Sequence, residues 1–181
     1  MDNRNKLRIG FLFDSFMIPV WMYYLIEYLK NSNFVTIDLI ILNKSKLKKE
    51  NLFSRVIKNK NYHLYTFFMK FEKLFFHTEF DPLVLENSKK LLENINILEV
   101  FPEQTKYSDR FNKNDTNKIK EYNLDVLVRF GFRILRGDIL SSSKYGVWSF
   151  HHGDENSNRG GPAGFWEVLQ NQPTTGTTLQ I

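Results

Sequence analysis

The residues best equipped for chemistry lie together between Gly146 and Trp166, in GVWSFHHGDENSNRGGPAGFW. His151 and His152 are adjacent, and Asp154, Arg159 and Gly160 follow within a few positions. An imidazole exchanges protons near neutral pH. GVWSF reads as a short buried strand, because it is β-branched and aromatic and starts at a glycine. The polar, glycine-rich HHGDENSNRGGP cannot continue it and reads as a long loop leaving the strand's C-terminal end. AGFWEVLQ then reads as one or two turns of helix. In an open parallel sheet, ligands bind in the crevice outside the C-terminal strand ends. His151, His152, Asp154 and Arg159 fall where such a fold does its chemistry. The bland alternative is a polar surface loop, and the clustering on a buried strand's end weighs against it.

The elements that must position this cluster are legible as apolar runs. Lys6–Phe13, KLRIGFLF, is a buried-strand signal, and Asp14-Ser15 follows as a turn or helix cap. Pro19 suits a first helical turn, and Val20–Lys30 continues as an aromatic-rich helix. Phe34–Leu42 is a second apolar strand, which completes a βαβ unit. Near-continuous apolar strands predict a parallel sheet covered on both faces. The stretch 44–94 is longer than a connection needs and reads as a helical insertion. Within it YHLYTFFMKFEKLFF is apolar around most of its circumference, which predicts a buried helix. His63 and His77 occur there singly and read as structural. Asp81-Pro82 opens a loop or short helix to Glu93, and Ile95–Phe101 is a third strand. Lys106–Arg110 reads as loop, and Asp115–Tyr122 as an amphipathic helix capped by Asp115.

Leu124–Phe132, LDVLVRFGF, is the fourth strand. Arg129 inside it needs an anionic or carbonyl partner. An ion pair with Asp125 or Asp154 and a role toward substrate are both open. Arg133–Leu140 reads as a turn into a short helix, and Gly146 opens the fifth strand. Thr175–Ile181 alternates like a strand and stops, so the chain reads as one C-terminally incomplete domain over 1–181. The expected fold class is α/β, a Rossmann-like open, mostly parallel sheet with helices on both faces.

Composition narrows the function. The chain has 181 residues, 42% hydrophobic, with 17 phenylalanines, which is enough for a sizeable core. It has no cysteine, so a thiolate site and a disulfide framework are excluded. No apolar run reaches the ~18 residues that span a bilayer, and the expected location is cytoplasmic. The net charge of +5 sits mainly in lysines at 44–60 and 112–120, read as solvated faces. No aromatic-basic motif accompanies them, so nucleic acid is not the expected partner. FDSFMIP after the first strand lacks G-x-G-x-x-G, which disfavours a dinucleotide. Asp14 there could touch a ligand or cap the helix. A metal is not expected, because adjacent histidines on a strand point to opposite faces.

Leu124–Ile181, about a third of the chain, resembles the N-terminal domain of the folate-dependent formyltransferases, including phosphoribosylglycinamide, methionyl-tRNA and sugar N-formyltransferases. Phe132–Leu135, FRIL, resembles the loop whose main chain holds the folate pterin. His151 with Arg159-Gly160 eight residues on resembles the family's catalytic histidine and R-G pair. Thr175–Thr178 resembles the T-G-x-T of the strand beyond. The resemblance implies formyl transfer from 10-formyltetrahydrofolate to a small-molecule primary amine, such as a nucleotide-linked amino sugar. The attacking amine must lose a proton, and the tetrahedral oxyanion needs donors. By resemblance His151 serves these needs, with Phe132, Arg133, Ile134 and Leu135 at the folate. Asp14, His152, Arg159 and Gly160 fall to the acceptor. The family's asparagine two positions before the histidine is Ser149 here, and its downstream aspartate has no counterpart. Asp154 is the carboxylate left to orient His151.

Three readings stay open: a formyltransferase, a catalytically silent folate- or sugar-binding module of the same fold, and a basic α/β interaction domain.

Overall fold

A computed structural model of the chain describes residues 6–45, 63, 67–68, 70–72, 75, 80–153 and 164–181. In chain order the first elements are β1 (Leu7–Phe13), β2 (Met17–Pro19), α1 (Val20–Asn31), β3 (Val35–Asn43), β4 (Leu85–Asn87) and β5 (Asn96–Val100). Then come β6 (Glu103–Gln104), β7 (Ser108–Arg110), α2 (Lys113–Glu121), β8 (Val126–Arg129) and β9 (Ile134–Arg136). A 3₁₀ turn at Asp138–Ser141, β10 (Val147–His152), α3 (Phe165–Leu169) and β11 (Thr177–Gln180) complete the order.

Six strands form one sheet in the order β11-β10-β8-β1-β3-β5. All its pairings are parallel except that of β11, which runs antiparallel to β10. The order reverses at β1. The chain steps to β3 and β5 on one side and later to β8 and β10 on the other. A crevice opens where the order reverses, at the C-terminal ends of β1 and β8.

Alternating side chains build a core on each face. Ile9, Phe11, Phe13, Ile40 and Leu42 pack with Ile26 of α1. Leu12, Leu39, Ile41, Leu127 and Val147 pack with Ile119 of α2. In β3 the parity changes at Asp38. Ile9 pairs with Ile37 but Gly10 with Leu39, so Asp38 is the extra residue of a bulge. Ile37 therefore packs on the α1 side and Leu39 on the α2 side. Asp38 itself accepts from Arg8 Nε at 2.5 Å. The rings of Phe11, Phe13 and Phe130 stack at 5.4–6.0 Å between centroids. Burying each of the fully enclosed Phe11 and Phe13 stabilises by roughly 1.5–3 kcal/mol.

Several local expectations are corrected. Neither Asp14 nor Ser15 caps α1. Its N-cap is Pro19, and no side chain caps it. Its first amides are met by backbone instead: Val20 N donates to Val84 O at 2.8 Å and Trp21 N to Pro82 O at 3.3 Å. That segment is held in place by the β2–β4 pair, so 81–93 is turns and a strand rather than a helix. The cap of α2 is Asn112, whose Oδ1 accepts from Asp115 N at 2.8 Å. Lys106–Arg110 contains β7 rather than loop alone, and Arg133–Leu140 contains β9. The described residues between 63 and 75 are helical, but Phe67, Phe68, Phe71 and Phe75 are all more than half exposed. The expected burial of that helix fails because nothing described in the chain covers its aromatic face. His77 lies outside the described residues. No described helix is long and apolar enough to cross a membrane.

Candidate active site

The site grows from a contact across the sheet. Arg129, the last residue of β8, lies beside Ser149 of β10 in the parallel register. Its Nε and Nη2 donate to Ser149 Oγ at 3.0 and 2.6 Å. Its Nη1 donates to Arg133 O at 2.9 Å, with Phe132 O further away at 3.5 Å. One guanidinium thus ties β10 to the FRIL turn. Burial pushes the Arg129 pKa down from its ordinary value, and the nearby Asp14 carboxylate acts in the opposite direction. The expected ion pair with Asp125 does not form, and the other expected partner, Asp154, lies outside the described residues. Asp125 sits at the far end of β8 and accepts from Arg8 N at 2.9 Å.

Asp14 does not cap α1 but braces the FRIL turn. Its Oδ2 accepts from Phe132 N at 3.0 Å and its Oδ1 from Asn43 Nδ2 at 2.9 Å. It joins the ends of β1 and β3 to the FRIL turn. The turn approaches β1 so closely that a Cβ on Gly131 would lie 2.5 Å from Asp14 N. Phe132 then takes φ 65°, which costs a non-glycine residue of order 1–3 kcal/mol. Arg133 is fixed from the other side. Its Nε and Nη2 meet Asp109 Oδ1 at 3.0 and 2.6 Å, and its backbone N meets Asp109 Oδ2 at 2.9 Å. Asp109 is buried. The Arg133 side chain is therefore a brace for the turn.

Ile134 N donates to Tyr107 O at 3.3 Å in the β7–β9 ladder, of which β9 is an edge. Alternation along a parallel ladder turns the main-chain N–H and C=O of the next residue, Leu135, outward. Leu135 lines a cavity of about 180 Å³ with Ile134, Leu140, Val147, Arg129 and Ser149. A larger cavity of about 470 Å³ lies against Trp21, Phe130, Phe132, Phe150, His152 and Ser149. Ser149 reaches both. His151 is half-buried and follows Ser149 by two residues along β10, so the two share a face. His152 is exposed and belongs to the opposite face, on the larger cavity. Asp154, Arg159 and Gly160 lie outside the described residues. Among the described residues no group of three or more His, Asp or Glu is placed to hold a metal ion.

The sequence reading therefore brought together Ser149, His152 and the FRIL residues at one sheet end. It missed Asp109, which carries no motif, and the bridging task of Arg129, for which an arginine at a buried strand's end was the signal.

Comparison with known proteins gives a fold. No family model and no curated protein matches the sequence. Among solved structures the chain is similar to glycinamide ribonucleotide transformylase 1 from Symbiobacterium toebii. The TM-score is 0.50 at 12% identity, over 98% of this chain and 66% of that one. A glycinamide ribonucleotide transformylase 1 from Geobacillus kaustophilus aligns with TM-score 0.47 at 10% identity, over 96% and 73%. The α/β fold with its mostly parallel sheet is thus shared with the Symbiobacterium protein, whose length this chain spans by just under two thirds.

Proposed function

We propose that the protein transfers a formyl group from 10-formyltetrahydrofolate to a primary amine. The observation that carries this reading is the state of Ser149. Its oxygen accepts two bonds from a guanidinium, so both lone pairs are engaged. Its O–H remains available to donate, and the cationic neighbour strengthens it as a donor. A hydroxyl so held suits the oxyanion that develops on a formyl carbonyl. His151, on the same strand face, would accept the proton that the attacking amine loses. Asp154 would orient that imidazole.

The smaller cavity supports the donor assignment. Its walls combine the apolar side chains of Ile134, Leu140, Val147 and Ile181 with Arg129, Ser149 and Gln180, and Leu135 presents one N–H and one C=O at the edge of β9. A planar pterin with donors and acceptors on one edge matches that pairing. Arg133 shapes the turn through Asp109 and need not touch the ligand. Asp14, His152, Arg159 and Gly160 fall to the acceptor side in this reading, and a nucleotide-linked amino sugar is the acceptor class to test first. A silent folate-binding module is favoured by one observation, the short serine where the family carries an asparagine.

Release of tetrahydrofolate from 10-formyltetrahydrofolate, measured with a panel of nucleotide-linked amino sugars, tests the proposal. Turnover is expected, and His151→Ala should lower kcat/KM by ~10²–10⁴-fold at unchanged thermal stability. Folate binding with no turnover on any amine would establish the silent module instead.

A further inference from the structure

Four phenylalanines left bare by the fold lie on the helical residues between 63 and 75. Phe67, Phe68, Phe71 and Phe75 are each more than half exposed. At about 100° per residue they fall within a single arc of about 100°. Phe71 and Phe75 are one turn apart with ring centroids at 4.6 Å, so the rings form a patch rather than scattered contacts. The exposed Lys70 flanks one border of the arc, and the half-buried Glu72 flanks the other. A contiguous exposed apolar patch marks an interaction surface.

Charge decides which partner fits that patch. Positions 46–77 carry eight Lys and Arg against Glu50 and Glu72, a net +6, while the whole chain is +5. The stretch that includes the bare helix thus holds all of the excess positive charge. A second copy would set +6 against +6, and like charges facing each other disfavour association. Seven of the eight cations are lysine. Protein interfaces deplete lysine and favour arginine. Single-stranded nucleic acid stacks its bases on open ring faces, whereas Phe71 and Phe75 are closed on each other. An anionic lipid surface asks for less. It needs point charges nearby and an apolar helix face to sink below the headgroups.

We propose that this helix docks the protein on an anionic membrane surface. Phe67, Phe68, Phe71 and Phe75 enter the boundary between headgroups and acyl chains, and Lys70 stays at the level of the phosphates. The helix lies in the plane of the surface, in keeping with the finding that no described helix can cross a bilayer. The rings supply affinity for any bilayer. The lysines select an anionic one, and salt screens that selection.

Co-sedimentation with vesicles of phosphatidylcholine, alone or mixed with phosphatidylglycerol, tests this. The mixed vesicles should bind the protein at least ~10-fold more tightly, and about 0.5 M salt should remove most of the difference. Phe71→Ser combined with Phe75→Ser should weaken binding about 10- to 100-fold, as loss of two half-exposed rings does. The melting temperature should stay unchanged, because these rings are bare in the folded chain. Phe67→Ser combined with Phe68→Ser should act alike, so the test does not depend on one pair leaving the helix intact. Equal binding to both vesicle types, binding to neither, or unchanged binding in both double variants would each overturn the proposal. Dimers that the variants dissolve, or tighter binding of oligouridine than of the mixed vesicles, would give the face to another partner and overturn it too. No folate or amine enters the assay, so the outcome is independent of the formyl-transfer reading.

Discussion

Replacing Ser149 by alanine separates a catalytic hydroxyl from one that merely seats an arginine. The side chain accepts two bonds from Arg129 and is almost fully buried. A hydrogen bond to a charged group contributes ~1.5–3 kcal/mol. The loss here is smaller than twice that, for two reasons. Arg129 is only half-buried, so water can reach the abandoned donors. Its Nη1 also keeps Arg133 O. Ser149→Ala should therefore cost about 1–2 kcal/mol, or roughly 2–8 °C in Tm for a chain of this size. If the hydroxyl also donates to the developing oxyanion, kcat should fall by ~10²–10³ per folded molecule with little change in KM. Ser149→Thr keeps the hydroxyl and should recover most of the rate. The assay is formyl transfer normalised to folded protein, with a melting curve on the same sample. A variant that melts early but turns over normally would show that Ser149 only holds Arg129, and the mechanism would lose its oxyanion donor.

Two further outcomes concern how the turn is built. Gly131→Ala should destabilise by ~1–3 kcal/mol, because its Cβ would lie 2.5 and 2.9 Å from backbone atoms of Asp14 and Phe13 that cannot rotate away. Gly10→Ala should cost less, since its Cβ would meet only the methyl tips of Leu124 and Leu127, at 2.7 and 2.8 Å. Urea denaturation of both variants reads this order, and the reverse order would refute it. Asp109→Ala leaves Arg133 without its carboxylate. Breaking a buried pair costs about 3–5 kcal/mol, and the lower end is expected because the Arg133 side chain is 33% exposed. A loss below about 1 kcal/mol, the level of a surface pair, would mean that the carbonyls of 105–108 alone hold the turn.

β1 and β3 were the most legible strands because burial on both faces makes each a near-continuous apolar run, whereas the edge strand β5 is largely exposed. β2, β4, β6, β7 and β9 have two or three residues each, too few for any periodicity to register. They matter nonetheless, since β4 anchors the start of α1 and β7 carries Asp109. The aromatic segment near 63–75 had the right period for a helix but gave no information on what would cover it. Burial depends on the rest of the chain, whereas helical period is local. The bulge at Asp38 was hidden for a similar reason. An extra residue shows only against its partner strand, and Asp38 looked like a mere polar break. In the site, FRIL and His151 were found through resemblance, which carries no contacts. Asp125 was one of the two ion-pair partners open to Arg129, and strand geometry rules it out. At ~3.3 Å rise per residue, four positions along a strand separate the two by more than a side chain's reach across the ladder.

Arg129 also accounts for how a serine could do an asparagine's work. A cation at the end of a buried strand is costly to desolvate, and its lowered pKa records that cost. Ser149 Oγ and Arg133 O, with Asp14 nearby, offset it. The offset requires Arg129 to stand between Leu12 of β1 and Ser149 of β10, a placement set by sheet register. A donor fixed by register needs little reorganisation when charge develops beside it. The guanidinium holds the short hydroxyl in one orientation, and the same bonds join it to the turn that would receive the folate. Reach is what serine lacks relative to an asparagine amide. In the proposed mechanism the turn must compensate for that reach, and its position is fixed by the tight Gly131 approach to β1, the strained Phe132 and the Arg129 bond to Arg133 O.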